Sequence, residues 1–434
     1  MSPSGINLLA LLGSAMTVAA SPSHAPAAAN LCDLVASQLP GLVSYPGQAV
    51  YNASQDGYYT SNERDLSPSC VFRPSETAQV SQFVKLVAQN GARDKSGAYK
   101  PLFAVRGGGH TLWSGAANMD GGVTVDMRGM SSLAVSPDQK MVSLGAGGKW
   151  SDMYPQLVPY NLTIAGGRVP GIGVAGFALG GGVSFQARRH GWSCDNIYGY
   201  EVVLASGEVV YVTSDSYPDL WVALKGGSNN FGIVTRFDVA AFPSTQIWGG
   251  TVTYNYTPEV LDAQAKAFSN FMDPKNFDDA AMMGVILGFA NPGGFSVSNS
   301  LFYLEPTPIP RPTRNSPPSL PRATPTPVTN GTNSLGLTAG ESDVTMLDFT
   351  IAYNNPADDQ MVESQLATVV AQQKKAVQDR GLLIPYIYLN YADKSQDPIG
   401  SYGGQAKDKL KAASKKYDPT GMFQKALRGG YKVL

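Results

Sequence analysis

Two clusters of glycine in the first half of the chain restrict what it can fold into. The first, Gly107–Gly109, directly follows the apolar run Leu102–Val105, which predicts a strand. The second extends from Gly166 to Gly182. Glycine lets the backbone approach a ligand closely, and consecutive N–H groups can then face an anion. The clusters therefore predict loops that hold a phosphate-containing ligand, although a plain tight turn is the alternative for the first cluster taken alone.

Short predicted helices and strands alternate around the two clusters. Apolar residues recur with the spacing of one helix face at Val80, Phe83, Val84 and Val87. A further helix is predicted at Trp150–Val158, and further strands at Val123–Asp126, Met141–Leu144, Leu162–Ile164, Val202–Leu204, Val209–Val212 and Ile233–Val239. Residues 65–244 are therefore expected to form one continuous α+β body.

The second half of the chain has a different pattern. It alternates longer strands with helices, which predicts an antiparallel sheet with helices packed on one side. The strands are expected at Trp248–Tyr254, Ala281–Leu287, Phe295–Leu304, Val344–Tyr353 and Tyr386–Tyr391, and the helices at Pro258–Met272, Asp358–Gln378 and Lys407–Tyr417.

A proline-rich tract interrupts this second pattern. Pro306–Pro327 contains nine of the 30 prolines, three arginines and almost no apolar residue. Such a segment buries too little apolar surface to offset the entropy lost on ordering. We therefore predict disorder at 306–331, which leaves the sheet of the second half incomplete.

Charge and hydropathy argue against two classes of protein. Lys and Arg number 32 and Asp and Glu 33, a net charge of −1, so no global basic field attracts nucleic acid. Hydrophobic residues make up 43% of the chain, which supports a large core. No apolar run approaches the roughly 18 residues of a membrane span. We expect neither a nucleic-acid nor a membrane partner.

The N-terminus indicates secretion. Ile6–Ala20 is apolar and ends in small residues, which is typical of a signal peptide at 1–20. In an oxidising compartment we expect Cys32 and Cys70 to form a disulfide and Cys194 to stay buried and reduced; three unrelated thiols are the alternative. Glycosylation sequons, which fit a secreted protein, occur at Asn52, Asn161, Asn255 and Asn330.

His110 directly follows the first glycine cluster and is one of three histidines. Its imidazole can act there as a base, a metal ligand or an attachment point. Gly171, Gly173 and Gly176 form a literal G-x-G-x-x-G, which is typical of a nicotinamide dinucleotide site. That site needs a strand–turn–helix within a repeated parallel array, whereas these glycines lie mid-chain, directly after Pro170. A wide, flat cofactor along the loop fits better.

Several motifs occur in a fixed order: Arg106–His110, Gly121–Asp126, Gly145–Gly147, Gly166–Arg168, Gly180–Gly182, Cys194–Asn196 and Lys225–Val234. This order resembles the FAD-binding domain of the vanillyl-alcohol-oxidase superfamily and, more narrowly, the berberine-bridge-enzyme-like oxidases of fungi. The resemblance covers residues 65–244, with 386–393 and 417–423 at the C-terminal end.

The resemblance implies an α+β fold with two parts. A two-subdomain FAD-binding fold of the PCMH type is expected at 29–244, with its core at 65–244. A substrate domain, an antiparallel sheet covered by helices, is expected at 245–384, with the proline-rich tract inside it. Residues 385–434 are expected to return to the FAD-binding domain.

The resemblance also implies the cofactor. FAD is expected to be attached through its 8α-methyl group to His110, with its pyrophosphate on the first glycine loop. Relatives often have a second link through a cysteine where this chain has Val169, so one link is expected. Ile172 occupies a position that favours reaction with oxygen, and Gly107 departs from the more usual serine. The expected FAD-binding residues are Arg106, Gly107, Gly108, Gly109, His110, Thr111, Gly167, Val169, Gly173, Gly176, Asn230 and Ile233.

Tyr388-Leu-Asn390-Tyr391 is similar to the Y-x-N-Y motif of the family. From the residues alone it fits a tyrosine-rich strand packed in a core equally well. A free phenol has a pKa of about 10, so it needs a partner to take a proton at neutral pH. The resemblance implies that Tyr391 is the base and that Tyr388 and Asn390 line the site.

We therefore expect a secreted, monomeric, metal-free FAD oxidase. It would pass a hydride from a small alcohol, sugar or amine to flavin N5 and the electrons to dioxygen, forming hydrogen peroxide. Two alternatives stay open: a family member that binds FAD but is catalytically impaired, and a nicotinamide-dependent dehydrogenase.

Overall fold

The computed structural model describes residues 27–244, 246–290, 292–306, 333–337 and 344–434. The expected signal peptide, the sequon at Asn330 and the proline-rich tract beyond Pro306 lie outside these residues. The strands are β1 Val43–Ser44, β2 Cys70–Phe72, β3 Phe103–Arg106, β4 Val123–Asp126, β5 Leu133–Val135, β6 Met141–Gly145, β7 Leu162–Thr163, β8 Ile197–Val203, β9 Val209–Thr213, β10 Ile233–Ala240, β11 Phe242–Pro243, β12 Trp248–Asn255, β13 Ala281–Ala290 and β14 Gly294–Tyr303.

The helices follow the sequence prediction closely where apolar periodicity is strong. They are α1 Ala27–Gln38, α2 Ala49–Asp56, α3 Ser61–Arg64, α4 Thr77–Asn90, α5 Trp150–Leu157, α6 Val174–Leu179, α7 Ala187–His190, α8 Pro218–Leu224, α9 Pro258–Met272, α10 Asp359–Gln378, α11 Pro398–Ser401 and α12 Gly404–Tyr417.

Two larger sheets and a two-stranded sheet, β11-β7, form the first domain, and α4 lies between the two larger sheets. The first sheet has the order β1-β2-β4-β3, in which β2, β4 and β3 run parallel. The second is antiparallel with the order β5-β6-β10-β8-β9. Phe83 of α4 packs on Phe72 and Phe103 of the first sheet, while α4 also contacts β8 and β9 of the second. The predicted apolar face of α4 therefore holds the two sheets together, since each buried side chain contributes roughly 1.5–3 kcal/mol.

The second domain contains a three-stranded antiparallel sheet with the order β12-β14-β13. Helix α9 packs on β13. Every residue of β12 is exposed, and Ile286, Leu287 and Phe289 of β13 are also exposed. Helix α10 buries no residue. Much of the apolar surface of this sheet is therefore uncovered within the described residues.

Two predicted strands are wrong. Within the described residues, Val344–Tyr353 is exposed and forms no strand, and Tyr386–Tyr391 ends in a short 3₁₀ helix at Leu389–Tyr391. Alternating apolar residues predict a strand only when a partner backbone is available for its hydrogen bonds. In place of such a partner, Trp192 contacts the rings of both Tyr386 and Tyr388.

The cysteine prediction is confirmed. Cys32 and Cys70 form a disulfide that joins α1 to β2, and Cys194 is a buried free thiol. The C-terminal segment packs on the first domain, where Leu427 pairs with Phe103 of β3. No helix in the described ranges is long and apolar enough to cross a membrane.

Candidate functional site

The first glycine loop begins where β3 ends at Arg106. Arg106 is completely buried, and its guanidinium lies 3.7 Å from the centre of the Tyr58 ring. Its Nη1 donates to the Ser54 carbonyl, whereas Nε and Nη2 have no hydrogen-bond partner in the described part of the chain. Gly109 has a φ of 73°, a conformation that other residues rarely adopt. A buried cation with unused donors next to a glycine turn indicates a site for a negatively charged group.

The second glycine loop touches the first. A Cβ atom added at Gly108 would lie 2.7 Å from the Gly173 Cα atom, and one added at Gly173 would lie 2.7 Å from the Gly108 Cα atom. The two backbones therefore meet with no room for a side chain. Gly173 also pairs with Lys149, and a Cβ added at Gly171 would lie 3.7 Å from His110 Cδ2. The second loop thus passes directly beside the imidazole.

His110 is half-buried, and its ring stacks on that of Tyr59, with the centroids 3.9 Å apart and the planes at 12°. Burial lowers the pKa of His110, and the Lys149 cation adds a smaller effect in the same direction. The imidazole is therefore neutral at neutral pH, the state in which one ring nitrogen has a free lone pair.

Three cations, Arg106, Arg128 and Lys149, lie close enough at the first loop to repel one another. Burial, followed by repulsion from Arg128 and Arg106, lowers the pKa of Lys149. Asp126, which is fully buried, pairs with Arg128 at 2.6 Å, and Asp152 is the other carboxylate that acts on Lys149. The cations outnumber these carboxylates, so an added diphosphate would reduce their mutual repulsion. The residues present therefore fit the pyrophosphate and the attachment site of FAD.

The C-terminal tyrosine motif lies against the second glycine loop. Arg168 Nη2 donates to the Tyr391 phenol oxygen at 2.7 Å. The Tyr388 oxygen accepts from the N–H of Val183 and from the Asn390 amide, both at 3.0 Å. Tyr388 is buried, which raises its pKa, whereas the Tyr391 side chain is 44% exposed. Of the two phenols, Tyr391 is the one that a substrate can reach.

The second glycine loop therefore connects the two predicted halves of the site. Gly171 lies beside His110, Arg168 contacts Tyr391, and a Cβ added at Gly180 would collide with the Asn390 amide. The guanidinium is the donor in its contact with Tyr391, so the phenol oxygen acts as a hydrogen-bond acceptor there. The arrangement can hold a cofactor at one end and move a proton at the other.

The other loop residues differ in their surroundings. A Cβ added at Gly176 meets no atom within 4 Å, and Val169 is exposed. A Cβ added at Gly167 would lie 2.5 Å from Trp150 Nε1, so glycine is needed there for the indole ring. No group of three or more His, Cys, Asp or Glu residues could hold a metal ion within the described ranges.

Asn230 and Ile233 lie in the protein interior. The Asn230 amide donates to the carbonyls of Gly227 and Tyr431, and its oxygen accepts from Gln424. Ile233 is buried at the start of β10. Both side chains are occupied by protein contacts, so contact with FAD at these two positions would have to come from the backbone.

Four residues of the site were not identified from the sequence: Tyr59, Arg128, Lys149 and Arg168. Arg168 and Lys149 each directly follow a short glycine run, and this position beside a predicted ligand-binding loop could have identified them. Tyr59 is distant from His110 in the sequence, and no local pattern connects them.

Comparisons with known proteins agree with this geometry. A family model described as an FAD binding domain matches residues 68–213. The FAD-dependent monooxygenase sdcF of Emericella nidulans is 30% identical over 480 residues, which cover 93% of this chain and 98% of the relative. The FAD-dependent monooxygenase tpcD of Cochliobolus heterostrophus is 28% identical over 475 residues, which cover 90% of this chain and 89% of the relative. Since 93% of 434 residues cannot fill 480 positions, sdcF contains residues that have no counterpart here.

Two solved structures share the fold. The chain is similar to wild-type Physcomitrella patens BBE-like 1, with a TM-score of 0.70 and 20% identity over 93% of this chain and 99% of that one. It is also similar to 6-hydroxy-D-nicotine oxidase from Arthrobacter nicotinovorans, with a TM-score of 0.65 and 19% identity over 88% and 96% of the chains. The expected α+β fold class is confirmed.

Proposed function

Because this chain belongs to the berberine-bridge-enzyme-like FAD-dependent oxidoreductases, we propose that it is an oxidase of a small alcohol, sugar or amine with FAD attached to His110. The observation that supports the attachment is the His110 imidazole stacked on Tyr59, beside the second glycine loop and close to the Lys149 cation. When bound, FAD supplies a hydride acceptor and passes the two electrons to dioxygen, which becomes hydrogen peroxide.

The residues of the chain have separate tasks in this reaction. Tyr391, acting as the phenolate, takes the proton from the substrate hydroxyl or amine and becomes the neutral phenol. Arg168, which donates to this oxygen, stabilises the phenolate that the step requires. Tyr388 and Asn390 hold the motif against the second loop. Arg106, Arg128 and Lys149 provide the positive field for the diphosphate.

The test has two readouts. The purified chain is denatured in acid, and the flavin absorbance that stays with the polypeptide is measured. We expect the yellow colour to remain with the wild-type chain and to be released completely from His110→Ala; release from the wild type would contradict the attachment. A screen of oligosaccharides and aromatic alcohols for hydrogen peroxide then identifies the substrate class.

Monooxygenation is the second candidate, because the relatives sdcF and tpcD are named FAD-dependent monooxygenases. Oxidation and monooxygenation differ in the fate of dioxygen. Under ¹⁸O₂, an oxidase places the label in hydrogen peroxide, whereas a monooxygenase places one labelled atom in the organic product. Labelled product would therefore replace the oxidase proposal.

We further propose a secreted, glycosylated monomer that takes only a small molecule and dioxygen. The Cys32–Cys70 disulfide supports an oxidising compartment. The sequon residues Asn52, Asn161 and Asn255 are exposed. Expression through a secretory pathway, glycosidase treatment with mass measurement, and light scattering test these three properties.

A further inference from the structure

An exposed tyrosine covers one face of the His110 imidazole. Tyr59 is 62% exposed, yet its ring lies nearly parallel to that of His110 at 3.9 Å. Its backbone N–H donates to the Gly109 carbonyl at 3.0 Å, so the position of the ring is set by the main chain as well as by stacking. Burial does not explain this placement, because most of the side chain remains in contact with solvent.

The contact is part of a longer segment, Tyr58–Glu63, which runs beside the loop that contains His110 and which we call the strap. In the middle of the strap, Thr60 Oγ1 donates to the Thr111 carbonyl at 3.3 Å. Asn62 Nδ2 donates to the Leu112 carbonyl at 3.2 Å. Hydrogen bonds therefore follow the loop on both sides of the imidazole.

Both ends of the strap are attached to the same loop. Tyr58 Oη donates to the Ala117 carbonyl at 2.8 Å, and its ring lies against the Arg106 guanidinium. The buried Glu63 carboxylate accepts from the N–H groups of Gly115 and Ala117. Because hydrogen bonds hold the strap to the loop at both ends and in the middle, the Tyr59 ring has little freedom to move away from the imidazole.

We propose that Tyr59 is a positioning residue for the attachment of FAD to His110, which fixes the plane of the imidazole so that a ring nitrogen, rather than a ring face, meets the flavin. The inference rests on the attachment proposed above. The torsion that turns an imidazole is broad, and a nucleophilic nitrogen reacts only when its in-plane lone pair points at the carbon. Stacking on one face, with Gly171 beside Cδ2, removes most of that rotation.

The attachment of FAD to His110 is a two-electron oxidation, and dioxygen is the oxidant that balances it. One nitrogen of His110 forms a C–N bond to the 8α carbon, one C–H bond of that methyl group breaks, and the imidazole loses its N–H proton. The two electrons and two protons released reduce dioxygen to hydrogen peroxide. Tyr59 takes part in none of these bond changes, so its effect is on the rate of attachment.

The experiment measures that rate directly. Apo-protein from a riboflavin-starved host is mixed with FAD in air, and the flavin that remains on the acid-denatured polypeptide is followed with time. Tyr59→Leu removes the ring and is expected to attach FAD roughly 3- to 10-fold more slowly, the loss of one aromatic contact. Tyr59→Phe keeps the ring and is expected to match the wild type. Tyr160→Leu is the control, because Tyr160 is similarly exposed on the same domain and has no ring contact among the described residues.

Each result decides the matter. Attachment by Tyr59→Leu at the wild-type rate overturns the positioning role and leaves the proposed function intact. Equal slowing in Tyr59→Phe and Tyr59→Leu also overturns it, because the hydroxyl and not the ring would then be responsible. A wild-type chain that never retains flavin removes the attachment itself, and the role of Tyr59 with it. Non-covalent FAD affinity and the unfolding temperature are expected to match the wild type in Tyr59→Phe and Tyr160→Leu. Tyr59→Leu, which loses the ring contact, is expected to unfold at a temperature about 1–6 °C lower.

Discussion

Substitutions at Gly108 and Gly176 test two properties independently: the packing of the two glycine loops on each other and their contact with FAD. In Gly108→Ala the new Cβ would lie 2.7 Å from Gly173 Cα, against 3.4–4 Å for ordinary contact, so the two backbones must separate by about 1 Å. Overpacking of this kind costs about 1–3 kcal/mol. At roughly 2–4 °C per kcal/mol, the unfolding temperature of the apo-protein should fall by about 2–12 °C.

Gly176→Ala is the matched substitution. The new Cβ meets no atom of the described chain within 4 Å, and Gly176 lies inside α6, where alanine is favoured over glycine by about 1 kcal/mol. The apo-protein should therefore be as stable as the wild type or slightly more stable. If FAD lies over this residue as predicted, the methyl group occupies cofactor space, and non-covalent FAD affinity should fall about tenfold or more.

Two measurements distinguish the outcomes. Scanning calorimetry of the apo-proteins gives the unfolding temperature, and a fluorescence titration with FAD gives the affinity. A Gly176→Ala protein that binds FAD like the wild type would refute the placement of the cofactor over α6. A Gly108→Ala protein with an unchanged unfolding temperature would refute the close contact of the two loops.

Three further outcomes are expected. Tyr391→Phe should lower kcat about 10²- to 10⁴-fold in a peroxide assay without changing the flavin content, and wild-type turnover would exclude Tyr391 as the base. Burial raises the pKa of Glu63 from 4.5 to about 7, so the folded state binds this proton more tightly than the unfolded chain. The free energy of unfolding should therefore decrease as pH rises from about 4.5 to about 7, and Glu63→Gln should show a flatter dependence of unfolding temperature on pH; equal slopes would contradict the shift. Replacement of both Cys32 and Cys70 by serine should lower the free energy of unfolding by about 4 kcal/mol in a urea titration, since the disulfide closes a loop of 38 residues; an unchanged midpoint would show that the disulfide is energetically neutral.

Local sequence patterns predicted most elements of both domains, and in the second domain β12, β13, β14, α9 and α10 lie within a few residues of their expected bounds. The apolar spacing of Val80, Phe83, Val84 and Val87 predicted α4, because the residues of one helix face lie three and four positions apart within a short stretch of sequence. The strand predicted at Val344–Tyr353 failed because its side-chain pattern contains no information about a partner. For the same reason the sequence did not predict that the Asn230 side chain forms hydrogen bonds with residues of the C-terminal segment.

The sequence alone determined the two glycine loops, the histidine after the first loop and the Y-x-N-Y motif, because each depends on residue type and short spacing. It predicted the Cys32–Cys70 pair, which the structure confirmed. Only the tertiary structure decided that Tyr59 covers His110, that Arg168 contacts Tyr391 and that Lys149 lies close to both His110 and the pair Arg106 and Arg128. These contacts join segments that are separate in the chain. Their geometry is set by tertiary packing between loops and the C-terminal segment, which no local pattern encodes.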